Sequence, residues 1–267
     1  MVEFHSLCNL EGMTRVPTLP DVIIGGAPRS GTTFLCEVLD KHPGVYLAKP
    51  IAPEPKVLLT DHPDGDAGIL KRYDAYFGNA SADLLRVEKT TNYFENDDAR
   101  ARFARLLPQT KLVILLRDPV DRAYSNWLWS RKNGLETLSF EEALNLEGKR
   151  PSPLPPERSA ARPFDYATRG KYGSFAKAWI KALGRDRIGF FIFEHAIGDP
   201  DRFISSLQDF IGVARLPWSA LRTGRVNSTD ADRPIDAATA CRLREHFREE
   251  IDEFHEITSC DVSAWKS

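Results

Sequence analysis

VIIGGAPRSGTTFL, residues 22–35, is the stretch on which the fold turns. A β-branched run leads into two glycines, a Pro-Arg-Ser-Gly turn, two threonines and the apolar start of a helix. Strand, tight loop and helix N-terminus in that order build an anion site. The loop amides point inward, the helix dipole favours negative charge, and glycine lets a phosphate come close to the backbone. Aligned on the phosphate-loop pattern GxxxxGK(S/T), Gly26 and Gly31 are in place, but Thr32 stands at the lysine position. The cation sits inside the loop as Arg29. The segment therefore predicts a holder of phosphorylated ligands that is not an ordinary ATP- or GTP-hydrolysing protein.

Outward from this loop, strand candidates fall at residues 22–25, 45–48, 84–88, 111–116 and 188–193. The run KLVILL (residues 111–116) is almost wholly apolar, as a strand covered on both faces should be. Helical spacing marks Phe103, Leu106 and Leu107, then Tyr172 to Leu183, then Phe203 to Ile211. Strands alternating with helices predict a three-layer α/β fold, a mostly parallel central sheet with helices on both faces. Two regions break the rhythm. Residues 49–66, rich in proline and charge, read as a long functional loop. Residues 149–163, KRPSPLPPERSAARP, hold five prolines and cannot continue a helix. This second region reads either as a solvated linker or as a mobile lid or acceptor-binding loop.

The 267 residues fit a single domain spanning 1–267. With 42% hydrophobic and 28% charged residues the composition is that of a globular protein. A net charge of −2 supplies no global field toward nucleic acid or an anionic membrane, so anion binding falls to local clusters. No apolar stretch approaches the ~20 residues of a membrane span. The opening MVEFHSLCNLEGMTR lacks the basic-then-apolar order of a secretory signal. Cys8, Cys36, Cys241 and Cys260 show no CxxC or zinc spacing, and no two of the six histidines form an HxxxH pair. Cys36 reads as a small buried hydrophobe, while Cys241 and Cys260 could pair. A cytoplasmic chain without a metal is the expectation, with those thiols reduced.

KLVILL ends in RDPVDRAYS, residues 117–125. Asp118 suits an N-cap, Pro119 the first helical position, and Ser125 then lies about two turns into the helix. Carboxyl ends of parallel strands form the ligand crevice of such sheets. Arg117 and the 22–33 loop would open onto that crevice together and suit a ligand with two separated anionic groups. Taken alone, Arg117 could instead pair with Asp118 or Asp121, and Ser125 could face solvent.

With both motifs in hand, the chain resembles the sulfotransferases that use 3′-phosphoadenosine 5′-phosphosulfate (PAPS). PRSGTTFL is similar to their 5′-phosphosulfate loop and RDPVDRAYS to their 3′-phosphate motif. The glycan branch, typified by heparan sulfate and nodulation sulfotransferases, is the nearest in flavour. EPKVLL (residues 54–59) resembles its Glu-Pro-His-Phe-Phe segment, and VEKTTNYF (residues 87–94) its Glu-Lys-Thr-Pro-Ser-Tyr-Phe segment. Residues 169–212 follow its helix, strand and helix, and the likeness runs more weakly to residue 265.

The resemblance implies sulfuryl transfer from PAPS to a hydroxyl or amine of a glycan, small-molecule or natural-product acceptor, with adenosine 3′,5′-bisphosphate (PAP) as product. Arg29, Ser30, Gly31, Thr32 and Thr33 would hold the phosphosulfate, with Arg29 in place of the family's lysine. Arg117 and Ser125 would hold the 3′-phosphate, and Arg225, in a late basic Arg-Thr-Gly-Arg segment, would close over it. Glu54 is implied as the general base, with His62 as its rival. Lys89 is placed near the transferring group or the acceptor; Lys49 and Lys56, which flank Glu54, read either as contacts for an acidic acceptor or as a solvated charged loop. His42 reads as a helix-ending turn residue. The family's disulfide-closed loop is not matched by the Cys241–Cys260 spacing. Two other readings of the residues stay open: a phosphate-loop nucleotide kinase, and a nucleotide-binding protein without turnover.

Overall fold

The computed structural model describes residues 18–222 and 235–266. In chain order the elements are β1 (Val22–Gly26), α1 (Thr32–Asp40), β2 (Val45–Leu47), α2 (Gly65–Lys71), α3 (Asp74–Phe77), β3 (Leu85–Lys89), α4 (Asp97–Leu106) and β4 (Lys111–Leu116). There follow α5 (Pro119–Lys132), α6 (Phe140–Asn145), α7 (Tyr172–Leu183), β5 (Ile188–Ile192), α8 (Phe193–Gly198), α9 (Pro200–Ile211), α10 (Trp218–Leu221) and α11 (Ala237–Thr258). Each strand ends within one residue of its sequence expectation. All pairings are parallel, and the sheet order is β2-β3-β1-β4-β5.

The period of two along the strands sorts the core into two layers. Ile23, Leu112, Ile114, Leu116 and Phe190 face a cluster built with Phe103, Trp179, Phe247 and Phe254. Val22, Ile24, Val87, Val113 and Leu115 face the other cluster, with Leu35, Leu39, Phe203 and Leu207. Both faces of the sheet are therefore covered, which is why KLVILL carries no polar alternation. In α7 the buried residues Tyr172, Ala176, Trp179 and Leu183 fall on one stripe, and Trp179 Nε1 donates to Phe94 O at 2.8 Å. Burying each such large side chain contributes roughly 1.5–3 kcal/mol.

From β1 the chain first builds outward to β3 and β2, then to β4 and β5, so the connections reverse direction beside β1. That switch point leaves a crevice at the carboxyl ends of the strands. Two expectations about loops need adjusting. Residues 49–66 include a short 3₁₀ turn, Val57–Leu59, and the start of α2, because Val57 and Leu58 are drawn wholly into the core. Residues 149–163 include a 3₁₀ turn at Pro156–Ala161 and are pinned by Ser130 Oγ donating to Pro163 O at 2.6 Å. Cys36 is buried in α1, and Cys241 and Cys260 are both free thiols. Among the described residues no helix is long and apolar enough to cross a membrane.

Candidate functional site

The loop after β1 is held open by two left-handed residues, Arg29 at φ 70° and Gly31 at φ 85°. At Gly31 this is obligatory on two counts: φ is positive, and a Cβ there would lie 2.4 Å from the Phe193 ring. The two positive φ values fold the loop back on itself, with Ser30 N donating to Ala27 O at 3.3 Å, and α1 begins directly behind it at Thr32, where the first-turn amides have no intrahelical partner. Ser30 Oγ is fully buried beside Tyr172 and has no hydrogen-bond partner, while Thr32 is buried and Thr33 half-buried.

Arg29 Nε donates to Ser125 Oγ at 3.2 Å, bridging the first loop to the second turn of α5. Ser125 is buried rather than solvent-facing. Asp118 caps α5 by accepting from Val120 N at 2.7 Å, with Pro119 in the first turn, as the sequence predicts. Burial raises the Asp118 carboxyl to about 6, against the opposing pull of that amide. Leu116 pairs with Ile192, so the next residues, Arg117 and Phe193, lie side by side, the guanidinium carbon 5.8 Å from the ring centroid. Arg117 also pairs with Asp121 at 2.9 Å. Phe193 thus touches the place of Gly31 on one side and Arg117 on the other. Burial first, then the guanidinium groups of Arg117 and Arg169, push the pKa of Arg29 down. Among the described residues Arg29 has no acidic partner within 4.0 Å. A buried guanidinium crowded by two others and lacking a carboxylate of its own is what an anion site looks like electrostatically.

Across the crevice, the end of β3 presents Lys89, whose Nζ lies 3.1 Å from Glu54 Oε1. Thr91 N donates to Glu54 Oε2 at 3.1 Å, and Thr91 Oγ1 lies 3.0 Å from Oε1 and 3.2 Å from Oε2. Glu54 and Lys89 keep side-chain exposures of 15% and 9%, so both are sheltered yet reachable. One residue earlier on β3, Glu88 points to the opposite face and is completely buried. It accepts from Thr90 Oγ1 at 2.6 Å and Tyr93 Oη at 2.8 Å. Burial lifts its carboxyl to about 7 against the effect of these two bonds.

The proline-rich segment borders this half of the crevice. Asn92 Nδ2 donates to Ala160 O at 2.7 Å, and Arg169 grips Glu95 through Nε at 2.7 Å, with Arg162 3.8 Å from the same carboxylate. Lys49 lies away in an exposed pair with Asp40, and the Lys56 amide donates to Thr90 Oγ1 at 3.0 Å. His62 accepts from Asp64 N in the turn before α2. His42 is a buried turn residue whose ring accepts from Gly44 N and meets Ala214 O. Arg225 lies outside the described residues. Among the described residues no group of three His, Cys, Asp or Glu is arranged to hold a metal ion.

The sequence profile of the family described as "Sulfotransferase domain" matches residues 19–267. The chain belongs to the sulfotransferase family. Mouse heparan sulfate glucosamine 3-O-sulfotransferase 3B1 is 27% identical over 198 residues, covering 74% of this chain and 47% of that protein. Mouse bifunctional heparan sulfate N-deacetylase/N-sulfotransferase 3 is 28% identical over 206 residues, covering 73% of this chain and 22% of that protein. The chain spans about half or less of the length of these relatives. In fold it is similar to a sulfotransferase from Alicyclobacillus acidocaldarius, with a TM-score of 0.76 at 24% identity over 94% of this chain and 100% of the other. A mouse sulfotransferase solved with PAP gives a TM-score of 0.52 at 15% identity, covering 89% and 85%.

In this sulfotransferase the structure brings together Arg29, Ser30, Gly31, Thr32, Thr33, Arg117 and Ser125 on one side, and Glu54 and Lys89 on the other. Sequence reasoning missed Phe193, Arg169, Thr91 and Glu88. Phe193 reads only as one apolar residue among several. Thr91 had a signal: it stands where the resembling glycan-branch segment has proline, and only a non-proline residue can offer Glu54 a backbone N–H.

Proposed function

We propose that this sulfotransferase moves a sulfuryl group from PAPS to a hydroxyl or amine of a glycan or small-molecule acceptor, acting as one domain in the cytoplasm. The observation that carries the reading is the Arg29–Ser125 contact, which joins two anion-binding motifs over a single crevice. The residues present fit the donor: a left-handed loop that ends in Gly31 at the N-terminus of α1, a buried Ser30 hydroxyl without a partner, and Arg29 short of negative charge. PAPS supplies the sulfuryl group. The amides of residues 29–33 with Arg29, Thr32 and Thr33 grip its phosphosulfate end, and Arg117 with Ser125 grips the 3′-phosphate.

Glu54 takes the proton of the acceptor hydroxyl while the acceptor oxygen forms its bond to sulfur. The bond from sulfur to the bridging phosphate oxygen breaks, and its electron pair stays on that oxygen, where Arg29 and the loop amides stabilise the added charge. Lys89 keeps Glu54 in place and offsets charge on the transferring oxygens. His62, tied into the turn before α2, is not assigned the proton. The segment bound by Asn92 borders the acceptor side, and residues 49–66 and 149–163 together select the acceptor.

The test is a thermal-shift comparison without magnesium, followed by transfer from labelled PAPS to a panel of glucosamine-containing oligosaccharides and simple alcohols. PAP should raise the melting temperature and ATP should not. Equal shifts from both nucleotides, or a shift that requires magnesium, would return the chain to the kinase reading.

A further inference from the structure

We propose that Glu88 is a positioning residue for the base: by accepting the hydroxyl protons of Thr90 and Tyr93, it turns both oxygens toward the backbone that carries Glu54. The proposal rests on the reading of Glu54 as the base.

A hydroxyl owns one proton, so where that proton points decides what the oxygen can accept. Glu88 Oε1 takes both protons, from Thr90 Oγ1 at 2.6 Å and Tyr93 Oη at 2.8 Å. The lone pairs left over accept from the loop: Thr90 Oγ1 from Lys56 N at 3.0 Å, and Tyr93 Oη from Leu58 N at 3.1 Å. These two amides lie two and four residues beyond Glu54. Between them the chain takes a left-handed turn at Lys56, φ 53°, a conformation that a lysine adopts only when its surroundings enforce it. The carboxyl of Glu88 is thus the fixed end of two relays, each ending on an amide of the segment that aims Glu54 at the crevice.

Stability does not explain this carboxyl. Glu88 is completely buried and pairs in register with Ile23 of the central strand, and its Oε2 completes no hydrogen bond even though the buried Tyr73 hydroxyl lies beside the carboxyl. An apolar side chain of similar size there would escape the desolvation penalty that burying a carboxyl incurs. Without an acceptor at that point, the Thr90 and Tyr93 protons are free to turn toward the loop amides, setting donor against donor. The loop then loses two anchors while the phosphate cradle, built on β1, β4 and α5, keeps its own.

The experiment uses the full chain as wild type, Glu88→Leu, Glu88→Gln, Tyr93→Phe and Glu54→Gln. Three quantities are read: amide hydrogen exchange over residues 54–59, the PAP-induced thermal shift, and kcat with KM for labelled PAPS. The acceptor is a glucosamine-containing oligosaccharide, or water where no sugar is sulfated. Glu88→Leu and Tyr93→Phe should speed exchange in 54–59 and lower kcat roughly ten- to hundredfold, with KM for PAPS and the PAP shift unchanged. Glu88→Gln, whose carbonyl oxygen can still accept both protons, should retain most of the wild-type kcat. Wild-type kcat in Glu88→Leu and Tyr93→Phe would overturn the proposal, as would a loss of PAP affinity equal to the loss of kcat, or a Gln variant as damaged as Leu. If Glu88→Leu does not fold, Tyr93→Phe decides, because it removes one oxygen and keeps the ring. Wild-type turnover in Glu54→Gln would instead sink the base reading, while exchange over 54–59 would still report whether Glu88 anchors the loop.

Discussion

Replacing Arg29 by glutamine should separate stability from ligand binding. Arg29 is sheltered, its charged form is disfavoured by burial and by the guanidinium groups of Arg117 and Arg169, and its Nε meets Ser125 at 3.2 Å. Its removal relieves the crowded cations in the ligand-free chain, so the melting temperature without ligand should hold or rise. With PAP the opposite is expected. A charge-assisted hydrogen bond to the ligand is worth about 2 kcal/mol, or roughly 30-fold in affinity. At a PAP concentration near 100 times the wild-type Kd, ligand binding adds about 2.7 kcal/mol of stability. At roughly 2–4 °C per kcal/mol, the wild-type shift should be about 5–10 °C. For Arg29→Gln the same concentration is only about three times Kd, giving about 0.8 kcal/mol and a shift of roughly 2–3 °C. Differential scanning fluorimetry with and without PAP measures both quantities at once. A full wild-type PAP shift in the variant would refute the placement of Arg29 against the ligand. A steep fall in its ligand-free melting temperature would refute the electrostatic argument.

Three more outcomes follow from particular residues. Gly31→Ala puts a Cβ 2.4 Å from the Phe193 ring at φ 85°, so denaturant unfolding should show a loss of roughly 2–4 kcal/mol, accompanied by loss of PAP binding; near-wild-type stability would mean the ring moves freely. Glu54→Gln should lower transfer from PAPS by about 10²–10⁴-fold with the PAP shift intact, and a variant that turns over normally would remove Glu54 from the chemistry. Glu88, raised to about 7 in the folded chain, keeps a proton there that the unfolded chain releases nearer 4.5. Its contribution is complete below the unfolded value and lost as pH rises through about 7. Relative to Glu88→Gln, wild type should therefore lose roughly 2–3 kcal/mol of unfolding free energy between pH 5 and 8. Parallel pH curves for the two proteins would show that Glu88 titrates normally.

The sheet was legible because its signals are local. KLVILL and VIIGG are apolar on both faces, and Asp118-Pro119 announces a helix start on any reading. The donor half of the crevice was legible for the same reason, since each anion-binding motif is continuous in sequence and only its partner had to be supplied. Phe193 escaped because its role depends on Leu116 pairing with Ile192, a register that no local pattern states. Glu88 escaped differently. Nothing in the sequence around Lys89 marks its neighbour as buried, and only the pairing with Ile23 of the central strand turns Glu88 inward. Arg225, named from a late basic segment of the sequence, lies outside the described residues.

The two halves of the crevice are built by different means, which bears on how the site could change its acceptor. The donor half rests on strand ends and helix starts, where backbone position is fixed by the sheet. The acceptor half rests on side chains of the segment after β3 reaching out to loops: Thr91 to Glu54, Thr90 and Tyr93 to the 56–58 amides, and Asn92 to Ala160. Thr91 carries the point furthest. The resembling glycan-branch segment has proline there, which offers neither an N–H nor a hydroxyl. Here the carboxylate is held by Lys89, the Thr91 amide and the Thr91 hydroxyl together. Each added donor fixes the carboxylate's orientation and narrows the directions from which an acceptor hydroxyl can approach it. An acceptor surface tuned through such side-chain contacts can diverge while the segment's backbone stays tied to β1, where Thr90 N donates to Ile24 O at 3.1 Å and Phe94 N to Gly25 O at 2.9 Å.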